Sequence, residues 1–169
     1  MKIVKGDLIK MALAGQFDVI AHGCNCNNVM GAGIAKTIRD TFPQSWTKDQ
    51  ETKKGDFNKL GNYTFAVHQV NDNHTLVVVN AYTQYMPSYN REDVFQYGAL
   101  EVILNKLAHR WGDKRYGLPL IGCGLAGGNK TKILGLMSDF NDKLVTQGGS
   151  LTVVEYDPKA ETVGRQLPV

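Results

Sequence analysis

The chain predicts an α/β layered domain built on a mixed sheet, and three observations predict it. Short apolar, β-branched runs alternate with stretches of helical spacing along the 169 residues. Two of those runs open directly into glycine-rich loops that lead into helices. One pair of runs is joined by a turn short enough to force antiparallel pairing, so the sheet is not purely parallel.

The elements follow in order. Lys2 to Val4 is a short strand, and Leu8 to Ala14 supports one or two helical turns. Phe17 to His22 is a buried strand that runs into Gly23-Cys24-Asn25-Cys26-Asn27-Asn28-Val29-Met30-Gly31-Ala32-Gly33. Asn and Gly dominate there, as they do where backbone turns sharply. Ile34 to Thr41 fits a helix stopped by Pro43, and residues 44–60 hold a short helix and a loop. Gly61 to Val70 and Thr75 to Ala81 are strands joined by Asn71-Asp72-Asn73-His74. Tyr82 to Asn90 reads as an aromatic-rich loop, and Arg91 to Arg110 has helical spacing at Val94, Leu100, Ile103, Leu104 and Leu107. Tyr116 to Ile121 is a buried strand, followed by Gly122-Cys123-Gly124-Leu125-Ala126-Gly127-Gly128. Lys132 to Val145 is a helix with Gly148-Gly149 beyond its end, and Leu151 to Tyr156 is the last strand. Lys159 to Val169 has no periodicity and is expected to be a flexible tail.

Composition narrows the function classes. A formal net charge of +3 without a dense basic stripe is no nucleic-acid footprint. Lys48, Lys53, Lys54 and Lys59, interleaved with Asp49, Glu51 and Asp56, read as a solvated mixed-charge surface. Three cysteines at these spacings do not suggest a disulfide framework, and no apolar run is long enough to span a bilayer. With no secretory segment near Met1, the expected location is the cytoplasm, with reduced thiols and no membrane partner.

The chemistry points to the two strand–loop–helix units, Ile20 to Ile34 and Leu118 to Ile133. Glycine lets backbone amides approach a ligand, and the following helix N-terminus favours an anion. Two such loops facing one crevice would cradle a diphosphate. Neither is a P-loop, since Gly-x-x-x-x-Gly-Lys-Ser/Thr does not occur. Gly122, Gly124 and Gly127 do match Gly-x-Gly-x-x-Gly, with Glu155 ending the next strand, so a dinucleotide-binding Rossmann unit is a rival. Too few residues follow Glu155 to build its further parallel strands. His22, Cys24, Cys26 and Cys123 have no zinc-finger spacing, and no base partners a cysteine nucleophile in the sequence.

Four motifs then resemble one family: Lys5-Gly6-Asp7-Leu8, Ala21-His22-Gly23 through Gly31-Ala32-Gly33-Ile34-Ala35, Val79-Asn80-Ala81-Tyr82-Thr83-Gln84, and Leu120-Ile121-Gly122 through Gly127-Gly128. In this order they resemble the macro domain, nearest its small single-domain branch of ADP-ribose-1″-phosphate phosphatases and ADP-ribosyl hydrolases. The resemblance runs from about Met1 to Pro158. It implies a three-layer fold, a mixed sheet with helices on both faces. It also implies a cofactor-free hydrolase of ADP-ribose-1″-phosphate, the alternatives being a hydrolase for ADP-ribosylated protein or nucleic acid and a module that binds ADP-ribose without turnover.

The resemblance assigns residues in turn. Asp7 would accept from the adenine amine, its alternative being a helix N-cap. Leu8 would offer backbone near adenine. Tyr156 would pack on the ring or in the core. Asn25 would touch the distal ribose, its alternative being an Asn that holds its own turn. Asn27 and His22 are the remaining catalytic candidates, with a buried structural histidine the alternative for His22. Gly31, Ala32, Gly33 and Ile34 would lie along one side of the diphosphate. Gly122, Cys123, Gly124, Leu125, Ala126 and Gly127 would lie along the other, with Gln84 nearby. One hydrolase group of the branch uses a lysine and an aspartate in loops that here read Tyr82-Thr83-Gln84-Tyr85-Met86-Pro87 and Leu125-Ala126-Gly127. Neither residue is present, which disfavours a lysine-adduct mechanism.

Overall fold

The computed structural model describes residues 1–87, 95–124, 127–160 and 165–166. The strands are β1 (Lys2–Gly6), β2 (Val19–Asn25), β3 (Tyr63–Asn71), β4 (His74–Gln84), β5 (Arg115–Pro119), β6 (Ser150–Tyr156) and β7 (Arg165–Gln166). The helices are α1 (Leu8–Leu13), α2 (Gly33–Thr41), α3 (Pro43–Gln50), α4 (Tyr97–Arg110) and α5 (Lys130–Val145). The sheet order is β3-β4-β2-β5-β6-β1-β7. The inner pairs are parallel, and the outer pairs β3–β4 and β1–β7 are antiparallel, which makes the sheet mixed as expected.

Side-chain alternation along the strands sorts the core into two layers. Val19, Ala21, Val79, Ala81, Leu118 and Val153 face α4 and α5, packing on Leu100, Ile103, Leu107, Ile133, Met137 and Phe140. Ile20, Leu76, Val78 and Val154 face the other way, onto Leu8, Ile9, Met11, Met30 and Ile38. Helices therefore cover both faces. That is why the inner strands read as continuous apolar runs rather than alternating ones.

Local chemistry sets the boundaries. Asp7 caps α1 by accepting the Lys10 N–H at 3.1 Å. Proline opens α3, where its missing N–H costs nothing. Several boundaries differ from the sequence expectation. β2 continues past His22 to Asn25, and Tyr82 to Gln84 belong to β4, because these two strands pair in parallel to their ends. Pro87 ends the described part of the expected aromatic loop, and its remainder, 88–90, lies outside the described residues. The helix expected from Arg91 begins at Tyr97; Phe95 instead bridges Gln84, and 91–94 lie outside the described residues. Beyond Pro158, Arg165 and Gln166 pair with Lys5 and Val4, a strand that a stretch without periodicity did not announce.

Candidate functional site

Adjacency of β2 and β5 positions everything at the site. They are parallel neighbours, so the loops that follow them leave the same edge of the sheet. From β2 the chain crosses through α2 and α3 to the β3–β4 side. From β5 it crosses through α5 to the β6–β1 side. Strand order thus reverses between β2 and β5, and a crevice opens at the carboxyl ends of strands at such a reversal.

A groove of about 590 Å³ lies there. Asp7, Leu8 and Ile9 line it from the start of α1, Gly33, Ile34 and Thr37 from the start of α2, and Pro119 and Leu120 from the end of β5. Lys130 lines it from the start of α5, and Val154, Glu155 and Tyr156 from the end of β6. Asp7 both caps α1 and lines the groove. The N-cap alternative therefore holds, and the second carboxylate oxygen of Asp7 has no hydrogen-bond partner among the described residues. Tyr156 is 73% exposed on the groove wall, which removes the core alternative. Lys130 and Glu155 form an ion pair of 2.6 Å within the lining. The Glu155 carboxylate holds the Lys130 ammonium above its usual range.

The first loop is fastened by amide side chains. Asn25 Oδ1 accepts the N–H groups of Asn27 (2.9 Å) and Val29 (3.3 Å), and its Nδ2 donates to the Val29 carbonyl at 2.8 Å. Asn25 therefore holds its own turn, the alternative stated for it above, with one amide hydrogen left over. Asn27 donates to the Tyr85 carbonyl at 2.7 Å. Asn28 takes φ 60°, a conformation asparagine tolerates. Its side chain donates to the Thr52 carbonyl at 3.0 Å and accepts from Lys59 Nζ at 2.6 Å. Gly31 and Ala32 are exposed just before α2.

Beneath this loop lies a buried polar chain. His22 bonds Asn80 Oδ1 at 2.7 Å, and Asn80 donates to Thr64 at 3.1 Å. Thr64 meets the Tyr82 hydroxyl at 3.0 Å, and Tyr82 donates to Asp49 at 2.9 Å. His22 was a catalytic candidate; here it has no exposure, and burial holds it neutral with a pKa of about 4. It is a structural histidine, because nothing outside the core can reach it. Gln84 is likewise buried and donates to the Met86 carbonyl at 2.9 Å, away from the groove lining. Lys59 and Asp49 are only 8% and 1% exposed, so the mixed-charge stretch is not all solvated surface. Burial raises the Asp49 carboxyl and all three thiols, Cys24 most strongly.

The second loop is fastened by backbone. Gly122 has φ +81°, and a Cβ there would lie 2.5 Å from the Phe95 ring. The Gly128 N–H donates to the Gly122 carbonyl at 2.6 Å, and a Cβ at Gly128 would lie 2.5 Å from that oxygen. Only glycine closes this turn. Gly127 bonds back to Gly124 at 3.2 Å. Cys123 feels the charges of Lys130 and Glu155. Leu125 and Ala126, expected along a diphosphate, lie outside the described residues.

The groove thus gathers Asp7, Leu8, Gly33, Ile34 and Tyr156 from the sequence candidates, while Asn25, Asn27, His22 and Gln84, and the loop residues Gly31, Ala32, Gly122, Cys123, Gly124 and Gly127, lie outside its lining. Ile9, Thr37, Pro119, Leu120, Lys130 and Val154 line it too and were not among those candidates. Lys130 had a signal, being the residue that starts the helix after the second loop. Glu155 was noticed only as a Rossmann acid, and the antiparallel edges with the motif on the fifth strand exclude that fold. Among the described residues, no three of His, Cys, Asp and Glu are grouped to hold a metal.

No family model matches the chain. Solved structures match its fold closely. Thermosipho africanus DarTG in complex with ADP-ribose superposes with a TM-score of 0.69 at 17% identity, over 94% of this chain and 42% of that one. The present chain thus spans less than half of DarTG. The macrodomain of Mycobacterium tuberculosis DarG gives 0.64 at 18% identity, over 93% and 98% of the two chains. A Trypanosoma brucei macrodomain in complex with ADP-ribose gives 0.61 at 15%, over 91% and 62%. The three-layer fold is that of the macrodomains. An uncharacterized 17.5 kDa protein from the tk-vs intergenic region of Enterobacteria phage T4 is 31% identical over 164 residues, 94% of this chain and 97% of the phage protein. The chain belongs to the family of that phage protein. No helix among the described residues is long and apolar enough to cross a membrane.

Proposed function

We propose that this chain binds ADP-ribose in the groove and hydrolyses ADP-ribose-1″-phosphate to ADP-ribose and phosphate. The observation that carries the reading is the pair of glycine loops leaving adjacent parallel strands at the reversal of strand order. Adenine enters at the Asp7 end. The free carboxylate oxygen accepts from its amine, and the exposed Tyr156 ring covers one face. The diphosphate lies between Gly31–Ile34 and the described part of the second loop, Gly122–Gly124 and Gly127, facing backbone amides and the N-terminus of α2. The distal ribose reaches the spare amide hydrogen of Asn25, with Asn27 beside it. The ADP-ribose held by DarTG and by the trypanosome macrodomain supports the choice of ligand.

In the reaction, water adds to phosphorus and gives up a proton to solvent, the bond between phosphorus and the 1″ oxygen breaks, and solvent protonates the leaving oxygen. His22 supplies no base, because it is fully buried away from the groove, is bonded to Asn80, and is left only weakly basic by its burial. Catalysis then rests on positioning and on amides aimed at the phosphoryl oxygens, which makes a slow enzyme. The test is a calorimetric titration with ADP-ribose, followed by phosphate release from the 1″-phosphate against an Asn25→Ala control. Heat of binding with release above the control supports both halves. Heat without release leaves a binding module, or a hydrolase for ADP-ribosylated protein or nucleic acid, which loss of label from such substrates detects. No heat at all rejects the reading.

A further inference from the structure

Lys130 and Glu155 meet across the groove with a Nζ–Oε1 distance of 2.6 Å. The fold does not call for this pair. A half-exposed ion pair adds little stability, and here the side chains are 57% and 20% exposed. Lys130 occupies the first position of α5, where the helix dipole favours a negative group, and the first turn carries no acid. Lys130 is also the one cation among the described groove-lining residues, set against Asp7 and Glu155.

Strand alternation places the pair. Val154 packs on the α1–α2 side of the sheet and Val153 on the α4–α5 side. Glu155 therefore stands on the α5 side, while Tyr156 stands on the α1 side beside Asp7. A nucleotide whose base lies at Asp7 and Tyr156, and whose diphosphate lies at the glycine loops, must bring its adenine-side ribose past Glu155. Carboxylates accept and cannot donate, so this one suits a pair of vicinal hydroxyls. Lysine is a mobile point charge on a flexible stem, suited to a phosphate oxygen.

We propose that Glu155 receives the 2′,3′-diol of the adenine-side ribose while Lys130 swings from it to the diphosphate, so that the groove selects nucleotides with a free diol and rejects those bearing a 2′-phosphate. A 2′-phosphate would set like charges in contact at Glu155 and gain only a cation already shared with the diphosphate. The inference rests on the ADP-ribose reading above.

Calorimetry with ADP-ribose, 2′-phospho-ADP-ribose and adenosine tests it on the unaltered protein, Glu155→Gln and Lys130→Met. The unaltered protein prefers ADP-ribose over its 2′-phosphate by about tenfold or more, and Glu155→Gln shrinks that preference to about twofold. Lys130→Met weakens ADP-ribose by about tenfold, flattens its salt dependence and leaves adenosine unchanged. A preference that survives Glu155→Gln intact, or a Lys130→Met loss equal for adenosine and ADP-ribose, overturns the inference. Failure of the unaltered protein to bind ADP-ribose overturns instead the reading beneath it.

Discussion

The two glycine loops flank one groove and are built in opposite ways. The first is stitched by side chains: Asn25 spans its own turn, and Asn28 is pinned by Thr52 and the buried Lys59. The second is shaped by the lack of side chains, since Gly122 and Gly128 approach other atoms too closely for a Cβ. The difference teaches that a loop at the end of a strand can be made rigid by adding polar partners or by removing bulk. These two constructions fail differently.

The largest expected effect is at the second loop. Gly128→Ala drives a methyl into the Gly122 carbonyl, where no rotamer relieves it. Denaturant unfolding should show a loss of about 3 kcal/mol, with ADP-ribose binding abolished. A variant of unchanged stability would mean the turn is not held by that close approach.

Acidity separates the two regions. His22, at the base of the first loop, stays neutral in the fold down to about pH 4, whereas an ordinary histidine protonates near 6.5. Between those values the unfolded chain binds the extra proton, so stability falls as pH drops from 6.5 toward 4. The total loss is on the order of 3 kcal/mol. Unfolding midpoints measured from pH 7 to 4.5 should follow that slope in the native chain and flatten in His22→Gln. An identical slope in both would remove His22 as the cause.

Lys59→Met is a milder break. It removes the ammonium from Asn28 and Thr52 but keeps the buried aliphatic stem. Stability should drop by about 2 kcal/mol, with faster amide exchange in residues 26–33 than in 120–124. Equal exchange in both loops would show that Lys59 does not serve the first loop selectively. Asn25→Ala is smallest in stability, about 1 kcal/mol by unfolding, because water can reach part of the freed turn. It should cost more in ligand affinity than in folding, and the reverse order would make Asn25 a purely structural residue.

These contrasts also explain what the amino-acid order made legible. Glycine spacing and flanking apolar runs located both loops, because backbone demands leave local marks. Asp7 and Tyr156 were legible through the motif and the strand end on which they stand. The buried Lys59 and Asp49 were not. Their neighbours Lys48, Lys53, Lys54 and Glu51 are ordinary surface charges, and only the packing of α3 under the first loop separates them. The hold that Asn25 keeps on its own turn was not legible either, since it depends on the Val29 backbone the amide meets. Tyr82 to Gln84 looked like loop because aromatic and polar residues cluster there. Parallel pairing with β2, fifty-odd positions away in sequence, makes them strand.

The most direct measurement is a backbone amide chemical-shift map of the protein titrated with ADP-ribose. The account predicts that shifts concentrate together in Gly31–Ile34 and Cys123–Gly128, with Asp7 and Tyr156 following at the same ligand concentration. Shifts confined to one loop, or gathered on the outer face of α4, would contradict it.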